Sequence, residues 1–330
     1  MSMPTNKDMH LRYKIFEKDS LELEPTRKGF GEGLLEAAQQ DERVVGLCAD
    51  LTDSTMMGMF AKEFPERFIQ VGVAEQNLVT VAAGMAAEGK IPFTSSYAAF
   101  SPGRNWEQIR TTACYNNQPV VVVGSHAGLS VGPDGATHQA LEDIAIMRSL
   151  PNMQVIVPAD LEQARKATLA IAKDPKPSYL RLARASTALV TTSKTPFKIG
   201  ESYVYMEGTD VTIVACGPVL YEAMLAAHML KGEISVEVIN VASVKPLDEE
   251  TILKSVKKTG AVISVEEHQI IGGLGGAVSE LLAQHLPAPM EFIGVHDSYG
   301  ESGTHEELWR HFGITPDNII THIKKVLKRK

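Results

Sequence analysis

The chain has 330 residues, of which 44% are apolar and 22% are charged, and these values are typical of a soluble globular protein with two or three domains. The net charge of −8 carries no long acidic or basic block apart from a basic C-terminus, which argues against nucleic acid or a membrane as main partner. No apolar run approaches the roughly 18 to 20 residues of a membrane span, and the N-terminus lacks a signal-peptide core. We therefore expect a cytoplasmic protein with buried, reduced thiols at Cys48, Cys114 and Cys216.

Short β-branched runs alternate with helical patterns in the first part of the chain. Strands are predicted at 44–50, 67–72, 92–96, 119–125, 153–159 and 178–183. Helices are predicted at 29–40, 75–89, 105–116 and 160–173. Because the strands are apolar on both faces and are joined by helices, they predict an α/β domain with a mostly parallel sheet and helices on both faces.

The alternation of strand and helix patterns stops at 187–201, a stretch rich in Thr, Ser and Lys that predicts a linker. It then restarts with strands predicted at 210–217, 234–241, 260–267 and 290–295, and helices at 219–231, 247–258, 274–285 and 316–328. This pattern predicts a second, smaller α/β domain. The expected organisation is an N-terminal extension at 1–23, a first domain at 24–186, a linker at 187–201 and a second domain at 202–330.

Polar side chains follow several of the first-domain strands, where open parallel sheets bind their ligands. Asp50 and Ser54 come after the strand at 44–50, and Glu75 opens the helix after the next strand. A carboxylate in the first turn of a helix also gains roughly 0.3 to 1 kcal/mol from the helix dipole. Glu75 therefore has a purely structural explanation as well as a functional one.

The segment SHAGLSVGPDGATH, residues 125–138, carries His126, Asp134 and His138 directly after a strand. It could be a series of turns with both histidines on the surface. Two histidines and an aspartate at the carboxyl edge of a sheet are hard to explain by packing, however, so we favour a catalytic loop. Zinc is the weaker alternative, because a spacing of twelve residues without a third compact ligand matches no standard site.

Two longer stretches resemble the pyrimidine-binding domain of transketolase: GVAEQNLVTVAAGMAAEGKIPFTSSYAAF and GSHAGLSVGPDGATHQALEDIAIMRSLPNMQVIVPAD. The part after residue 200 is similar to the C-terminal domain of the same family. Transketolases of ordinary length have a preceding domain that binds the diphosphate and metal of thiamine diphosphate through a GDG motif, and this sequence contains no GDG. The resemblance thus implies the C-terminal subunit of a split transketolase, which requires a separate N-terminal subunit.

The resemblance assigns cofactor roles to four residues. Glu75 matches the catalytic glutamate that hydrogen-bonds the aminopyrimidine ring nitrogen, so that the cofactor can remove its own C2 proton. Tyr97 and Phe100 match aromatic positions that pack on the pyrimidine ring, and Asp50 matches an aspartate near the cofactor. The diphosphate and Mg²⁺ are expected on the partner, with no metal ligand in this chain.

The same resemblance assigns five positions to substrate binding and a catalytic role to His138. Those expected to hold the sugar phosphate are Arg27, Ser54, His126 and Arg184; an arginine fork suits phosphate oxygens. Asp134 would read the C2 hydroxyl of the sugar, and His138 would hydrogen-bond or relay a proton near the reacting carbons. The implied reaction is transfer of a two-carbon ketol unit from a ketose phosphate to an aldose phosphate, in an assembly of two copies of each subunit.

Other interpretations stay open at this point. A subunit similar to 1-deoxyxylulose-5-phosphate synthase or to the beta chain of a 2-oxo-acid dehydrogenase shares several elements, and a non-catalytic scaffold could keep the same fold. The family loop usually reads GEDGP, and here Pro133 and Ala136 depart from it. Arg104 and Trp106 receive no role, because an additional residue disturbs the comparison there. The glycines at 272–276 lack the spacing of a dinucleotide fingerprint and predict only a tight turn.

Overall fold

Seven strands form the larger of two main sheets in the computed structural model, which describes residues 5–330. In spatial order they are β12 (Ser243–Lys245), β6 (Gln154–Ile156), β7 (Ser178–Arg181), β5 (Val121–Ser125), β4 (Ile91–Tyr97), β2 (Val44–Cys48) and β3 (Phe68–Gln70). All neighbouring pairs are parallel except β12 with β6. The mostly parallel sheet predicted for the first domain is confirmed.

Helices cover both faces of this sheet, as its strand residues require. Along β5, Val121 and Val123 pack into one apolar cluster while Val122 packs into another, because successive side chains of a strand point to opposite faces. The first face is covered by α1 (Thr26–Gln40) and α6 (Leu161–Lys173). The opposite face is covered by α3 (Glu75–Ala87) and by the helix that starts as α4 (Trp106–Gln108) and continues as a π-helix (Ile109–Tyr115).

The second domain contains a five-stranded sheet. Its order is β14 (Met290–Val295), β13 (Val262–Gln269), β10 (Val211–Ala215), β11 (Val236–Asn240) and β9 (Tyr203–Met206), with only β9 antiparallel. The helices that pack on it are α7 (Leu220–Met229), α8 (Glu249–Thr259), α9 (Leu274–His285) and α11 (Pro316–Leu327). The predicted second α/β domain is therefore also confirmed.

The two domains are joined more closely than the sequence pattern indicates. The strand β12 comes from the second half of the chain, yet it completes the edge of the first sheet. One apolar cluster contains Val155 of β6 together with Val214 of β10 and Val278 of α9. At 187–201, where a linker was expected, Thr187–Ala188 form β8, which pairs with β1 (Leu23–Glu24). The contact between the domains is thus a shared core rather than a loose joint.

Several short elements have no counterpart in the predicted pattern. Besides β1, β8, β9 and β12, they are α2 (Gly58–Glu63), α5 (Asp143–Arg148) and α10 (His305–His311). Each has seven residues or fewer, too few for periodicity to show. Two of them matter for the site, since α5 supports the sheet beside the histidine loop and α10 packs against that loop.

A buried ion pair joins α5, β7 and β13 at the boundary between the domains. Arg181 Nε lies 2.7 Å from Asp143 Oδ2, which also accepts a hydrogen bond of 2.6 Å from the Tyr179 hydroxyl. The same guanidinium donates from Nη2 to the backbone oxygen of Glu267 at 2.8 Å. Burial alone would raise the pKa of Asp143, but the Arg181 charge lowers it below its ordinary value. Both charges are therefore kept and satisfied inside the protein.

Replacing Arg181 with Met should destabilise the chain strongly, because it leaves the buried Asp143 carboxylate without its cation. We expect a loss of about 3 to 5 kcal/mol in the free energy of unfolding, measured by urea titration at pH 7.5. The control is Arg43→Met, which breaks a solvent-exposed pair with Asp41 and should have little effect. Equal losses in the two variants would contradict the importance of the buried pair.

Candidate functional site

The candidate site lies at the carboxyl edge of the larger sheet. Tyr97 is the last residue of β4, and His126 follows the last residue of β5, the neighbouring strand. Asp50 follows β2 on the other side of β4, and Glu75 is the first residue of α3. Because parallel strands end at the same edge, the fold brings these four positions to one side of the sheet.

Four aromatic rings form a continuous cluster at this edge. The rings of Tyr97 and His126 are stacked, with centroids 3.9 Å apart and planes 23° apart, and Phe100 lies 6.1 Å from Tyr97 at 22°. His138 meets the cluster edge-on, 5.3 Å from Phe100 and 6.2 Å from Tyr97. Near-parallel rings of this kind provide flat apolar surfaces suited to packing against another planar ring.

Glu75 is buried, with 4% of its surface exposed, at the start of α3. Its carboxylate pairs with Arg104, whose Nη1 lies 3.2 Å from Oε2 and 3.4 Å from Oε1. The Arg104 guanidinium carbon in turn lies 4.2 Å from the centre of the Phe100 ring, and Asn105 Nδ2 donates to the Glu75 backbone oxygen at 2.8 Å. Arg104 thus links the buried acid to the aromatic cluster.

Sequence reasoning left Arg104 and Trp106 without a role, and the structure separates them. Arg104 contacts two candidate site residues, Glu75 and Phe100. Trp106 instead donates its indole hydrogen to the backbone oxygen of Ile146 at 3.0 Å and packs on the core. A signal for Arg104 was present, because it lies four residues after Phe100, but the additional residue in this stretch obscured it.

His126 is almost fully enclosed and its ring is neutral at physiological pH. Its exposed fraction is 2%, its φ is 54°, and its Nδ1 lies 2.9 Å from the Ser125 hydroxyl. Burial, together with the charges of Arg27 and Arg184, lowers the pKa of His126 to about 3. This ring can therefore hydrogen-bond a ligand without a charge of its own, and it does not lie on the surface.

Two guanidinium groups face an open cavity of about 300 Å³ beside the histidine loop. Arg27 donates from Nη1 to the backbone oxygen of Ser54 at 2.6 Å, and Arg184 donates from Nη1 to that of Val131 at 2.5 Å. Asp134 lies 3.9 Å from Arg184. Burial and the charge of Arg184 lower the pKa of Arg27, which stays a cation because its ordinary value is so high. Two cations at one cavity favour an anionic group.

Backbone turns and the side-chain amide of Gln139 are among the features that hold the histidine loop in place. Gly128, Gly132 and Gly135 all have positive φ, between 74° and 79°. Gln139 donates from Nε2 to the backbone oxygen of Leu129 at 3.3 Å and to that of Glu301 at 2.9 Å. The departures Pro133 and Ala136 are both exposed. The loop therefore follows an ordered path despite them.

Two of the expected site residues make few side-chain contacts. Asp50 has a positive φ of 60°, and its backbone amide donates to Gln70 Oε1 at 2.7 Å. Ser54 meets Arg27 through its backbone oxygen rather than its hydroxyl. The structure thus gathers Glu75, the aromatic cluster and the two arginines, and leaves these two at the margin.

Gly272 and Gly273 precede α9, Gly275 and Gly276 lie in its first turn, and an internal carboxylate occupies the start of that helix. Glu266 accepts hydrogen bonds from the backbone amides of Leu274 and Gly275, at 2.7 and 2.8 Å. A Cβ on Gly273 would lie 2.0 Å from Glu266 Oε2. This close approach explains why position 273 is a glycine. An anion-binding helix start needs free amides, and Glu266 already occupies those of Leu274 and Gly275.

The remaining chemical features of the chain are limited. Cys48, Cys114 and Cys216 are free and buried, and burial raises the pKa of each thiol. Within residues 5–330, no group of three or more His, Cys, Asp or Glu side chains is arranged to hold a metal ion. None of the helices over the same range has the length and apolar character needed to cross a membrane.

Comparisons with known proteins place the chain in context. Sequence profiles for the transketolase pyrimidine-binding domain and the transketolase C-terminal domain match residues 24–188 and 200–319. A putative transketolase C-terminal section from Methanocaldococcus jannaschii is 44% identical, covering 92% of this chain and 96% of that relative. A 6-deoxy-6-sulfo-D-fructose transketolase subunit from a Clostridium strain is 43% identical, covering 90% of this chain and 92% of that relative. A solved split-gene transketolase, described as an inactive beta4 tetramer, matches with a TM-score of 0.86 and 44% identity over 92% of this chain and 98% of that one.

The low pKa of His126 predicts a specific pH dependence of stability. Below pH 6.5 the unfolded chain protonates this ring, whereas the folded chain does not until about pH 3. Folding stability therefore falls by about 1.4 kcal/mol per pH unit as the pH decreases through this window. Urea unfolding at pH 7.5 and pH 5.0 should show a smaller loss in His126→Gln than in the unaltered chain. Identical losses would show that His126 titrates normally.

Proposed function

Because the chain belongs to the transketolase family, we propose that it is the C-terminal subunit of a two-chain transketolase. The complex transfers a two-carbon ketol unit from a ketose phosphate to an aldose phosphate. One observation carries the proposal: buried Glu75 is joined through Arg104 to the aromatic cluster, and that cluster includes His126, whose pKa is lowered by burial and by the charges of the two cavity arginines, Arg27 and Arg184. A planar cofactor and an anionic sugar can bind side by side there.

The residues of this edge fit the pyrimidine end of thiamine diphosphate. A buried carboxyl can meet a ring nitrogen, and the near-parallel faces of Tyr97 and Phe100 can pack against the ring. When bound, the cofactor would supply the carbon nucleophile that ketol transfer requires. Its diphosphate and Mg²⁺ are assigned to a partner chain with a GDG motif, since this sequence has no such motif.

The acidic, basic and histidine side chains around the proposed cofactor position each have a role in this proposal. The Glu75 carboxyl shares a proton with the pyrimidine ring nitrogen, and the hydrogen bond from Asn105 to its backbone keeps the start of α3 in place. Arg104 and Asp50 lie beside the cofactor. His138 hydrogen-bonds oxygens near the reacting carbons or relays a proton between them. Neutral His126 donates or accepts a hydrogen bond without repelling the two arginines.

The cavity provides the binding site for the terminal anionic group of the sugar. Arg27 and Arg184 bind its oxygens with charge-assisted hydrogen bonds, and Ser54 and His126 add further polar contacts. We assign the reading of a sugar hydroxyl to Asp134, whose carboxylate lies 3.9 Å from Arg184. The Clostridium relative is named for a sulfonated sugar, which is also anionic. We assign phosphate to this chain, and the same chemistry would bind a sulfonate.

Association with a partner follows from the division of the cofactor site. We propose an assembly of two copies of this chain and two of the N-terminal subunit, working in the cytoplasm. The solved relative described as an inactive tetramer of beta chains is consistent with a requirement for the other subunit. Three buried, unbridged thiols suit a reducing compartment.

The proposal is tested by co-expressing the chain with a partner subunit that carries the GDG motif. The purified complex should transfer a ketol unit from xylulose 5-phosphate to an aldose phosphate only when thiamine diphosphate and Mg²⁺ are present, and the chain alone should not. Condensation of pyruvate with an aldehyde phosphate instead would favour a 1-deoxyxylulose-5-phosphate synthase. A complex that binds the cofactor but catalyses neither reaction would support the scaffold alternative.

Changing Glu75 to Gln should reduce turnover of the complex by about two to four orders of magnitude, because the amide cannot share a proton with the ring nitrogen. Thermal unfolding should show only a modest loss of stability. Glu142→Gln is a suitable control, since this glutamate is exposed and follows the histidine loop in the chain. Near-normal turnover in Glu75→Gln would remove the main support for the assignment.

Changing Arg184 to Ala should mainly raise the KM for xylulose 5-phosphate, by about tenfold or more, because one charge-assisted contact to the anion is lost. The KM for unphosphorylated xylulose should change little. Arg310→Ala serves as the matched control, since this exposed arginine of α10 lies outside the cavity. A parallel rise for both sugars would show that Arg184 does not read the phosphate.

A further inference from the structure

A carboxylate from the second domain reaches the histidine loop of the first. Glu267, near the end of β13, is 2% exposed. Its Oε1 accepts a hydrogen bond of 2.5 Å from the backbone amide of Ser130, and its Oε2 lies 3.3 Å from the Ser130 hydroxyl. This contact fixes the loop at its centre from outside its own domain.

The backbone of the loop is shaped to receive this side chain. Gly128 has a φ of 79°, and a Cβ at that position would lie 2.6 Å from Glu267 Cδ and 2.9 Å from Oε1. Any side chain there would therefore both strain the backbone and displace the carboxylate. The glycine and the acid fit each other directly.

Glu267 is itself held in a fixed position. Arg181 donates to its backbone oxygen at 2.8 Å, and the same guanidinium pairs with Asp143. Burial raises the pKa of Glu267, while the nearby Arg181 charge and the Ser130 hydrogen bonds oppose that rise. The backbone and the carboxyl of Glu267 thus take part in a polar network that spans the two domains.

The contact between Glu267 and Ser130 lies next to the residues that line the anion cavity. Ser130 and Val131 both line that cavity, and the Val131 backbone oxygen accepts the hydrogen bond from Arg184. The carboxylate therefore fixes the residue immediately before the one that orients this guanidinium. A shift of the loop would move the Arg184 fork relative to the bound anion, and such recognition depends on fork geometry.

We propose that Glu267 is a positioning residue for substrate recognition, which sets the place of Arg184 through Ser130 and Val131. This inference deepens the proposed function and rests on it for the identity of the anion, a sugar phosphate. It also gives the second domain a role at the site: that domain supplies the support that makes phosphate binding selective. Glu267 does not contact the substrate.

Glu266 offers a matched control on the same strand. Only 1% of its surface is exposed, and its carboxylate also accepts backbone hydrogen bonds, but the donors are the amides at the start of α9. Glu266→Ala and Glu267→Ala each remove one buried carboxylate from β13. Both variants should lose thermal stability, and only the second should affect the loop.

The first experiment measures hydrogen exchange of the full chain by mass spectrometry. Glu267→Ala should accelerate exchange in the peptide covering 126–138, whereas Glu266→Ala should accelerate it around 272–278. Unchanged exchange of the 126–138 peptide in Glu267→Ala would overturn the inference. This readout does not depend on whether the complex has transketolase activity.

The second experiment compares xylulose 5-phosphate with unphosphorylated xylulose in the reconstituted complex. Glu267→Ala should raise the KM for the phosphorylated sugar by about tenfold, with less than about threefold change for xylulose, since one buried hydrogen bond supports the Arg184 position. Glu266→Ala should leave the ratio of the two KM values unaltered. The same ratio in both variants would overturn the inference.

Glu267→Gln settles the question if Glu267→Ala does not assemble. The amide keeps the volume and one acceptor oxygen but loses the charge, so the ratio of KM values should shift about threefold in the same direction. An unchanged ratio would overturn the inference. Absence of ketol transfer in the unaltered complex would instead contradict the proposed function, and the exchange measurement would still decide the role of Glu267.

Discussion

The guanidinium of Arg181 is the point on which the organisation of the site depends. It is buried where β7, α5 and β13 meet, and it satisfies Asp143 and the Glu267 backbone oxygen together. A buried cation of this kind is stable only when every partner is in place. Because this guanidinium bonds groups of both domains, it ties the end of β13 to the first domain beside the histidine loop.

The site combines two environments that adjoin each other. One is aromatic and enclosed, where Tyr97, Phe100 and His126 present near-parallel rings beside buried Glu75. The other is cationic and open, where Arg27 and Arg184 face the cavity. His126 belongs to the aromatic cluster, and it stays neutral because burial and the charges of both arginines disfavour its protonation. A planar heteroaromatic group and an anionic sugar could occupy these environments in contact with each other.

Sequence patterns predicted the long elements well, because burial on both faces of the sheet demands continuous apolar runs such as 119–125. Expectations for short elements were poorer, since α5, α10 and β12 are too short to show periodicity. The candidate residues were found through their chemical type and their position after strands. Arg104 was missed because the additional residue in its stretch obscured its spacing from Phe100, and its contact with Glu75 becomes visible only in the folded chain.

The sequence by itself determined the α/β class, the two domains and the carboxyl-edge location of Glu75 and the histidine loop, because these follow from local periodicity and from the geometry of parallel strands. Only the tertiary structure decided how distant residues meet. It joined Glu267 to Ser130 across 137 positions of the chain, neutralised His126 and placed the Arg27 and Arg184 guanidinium groups at one cavity. Such contacts depend on packing between domains, which side-chain types along the chain do not specify.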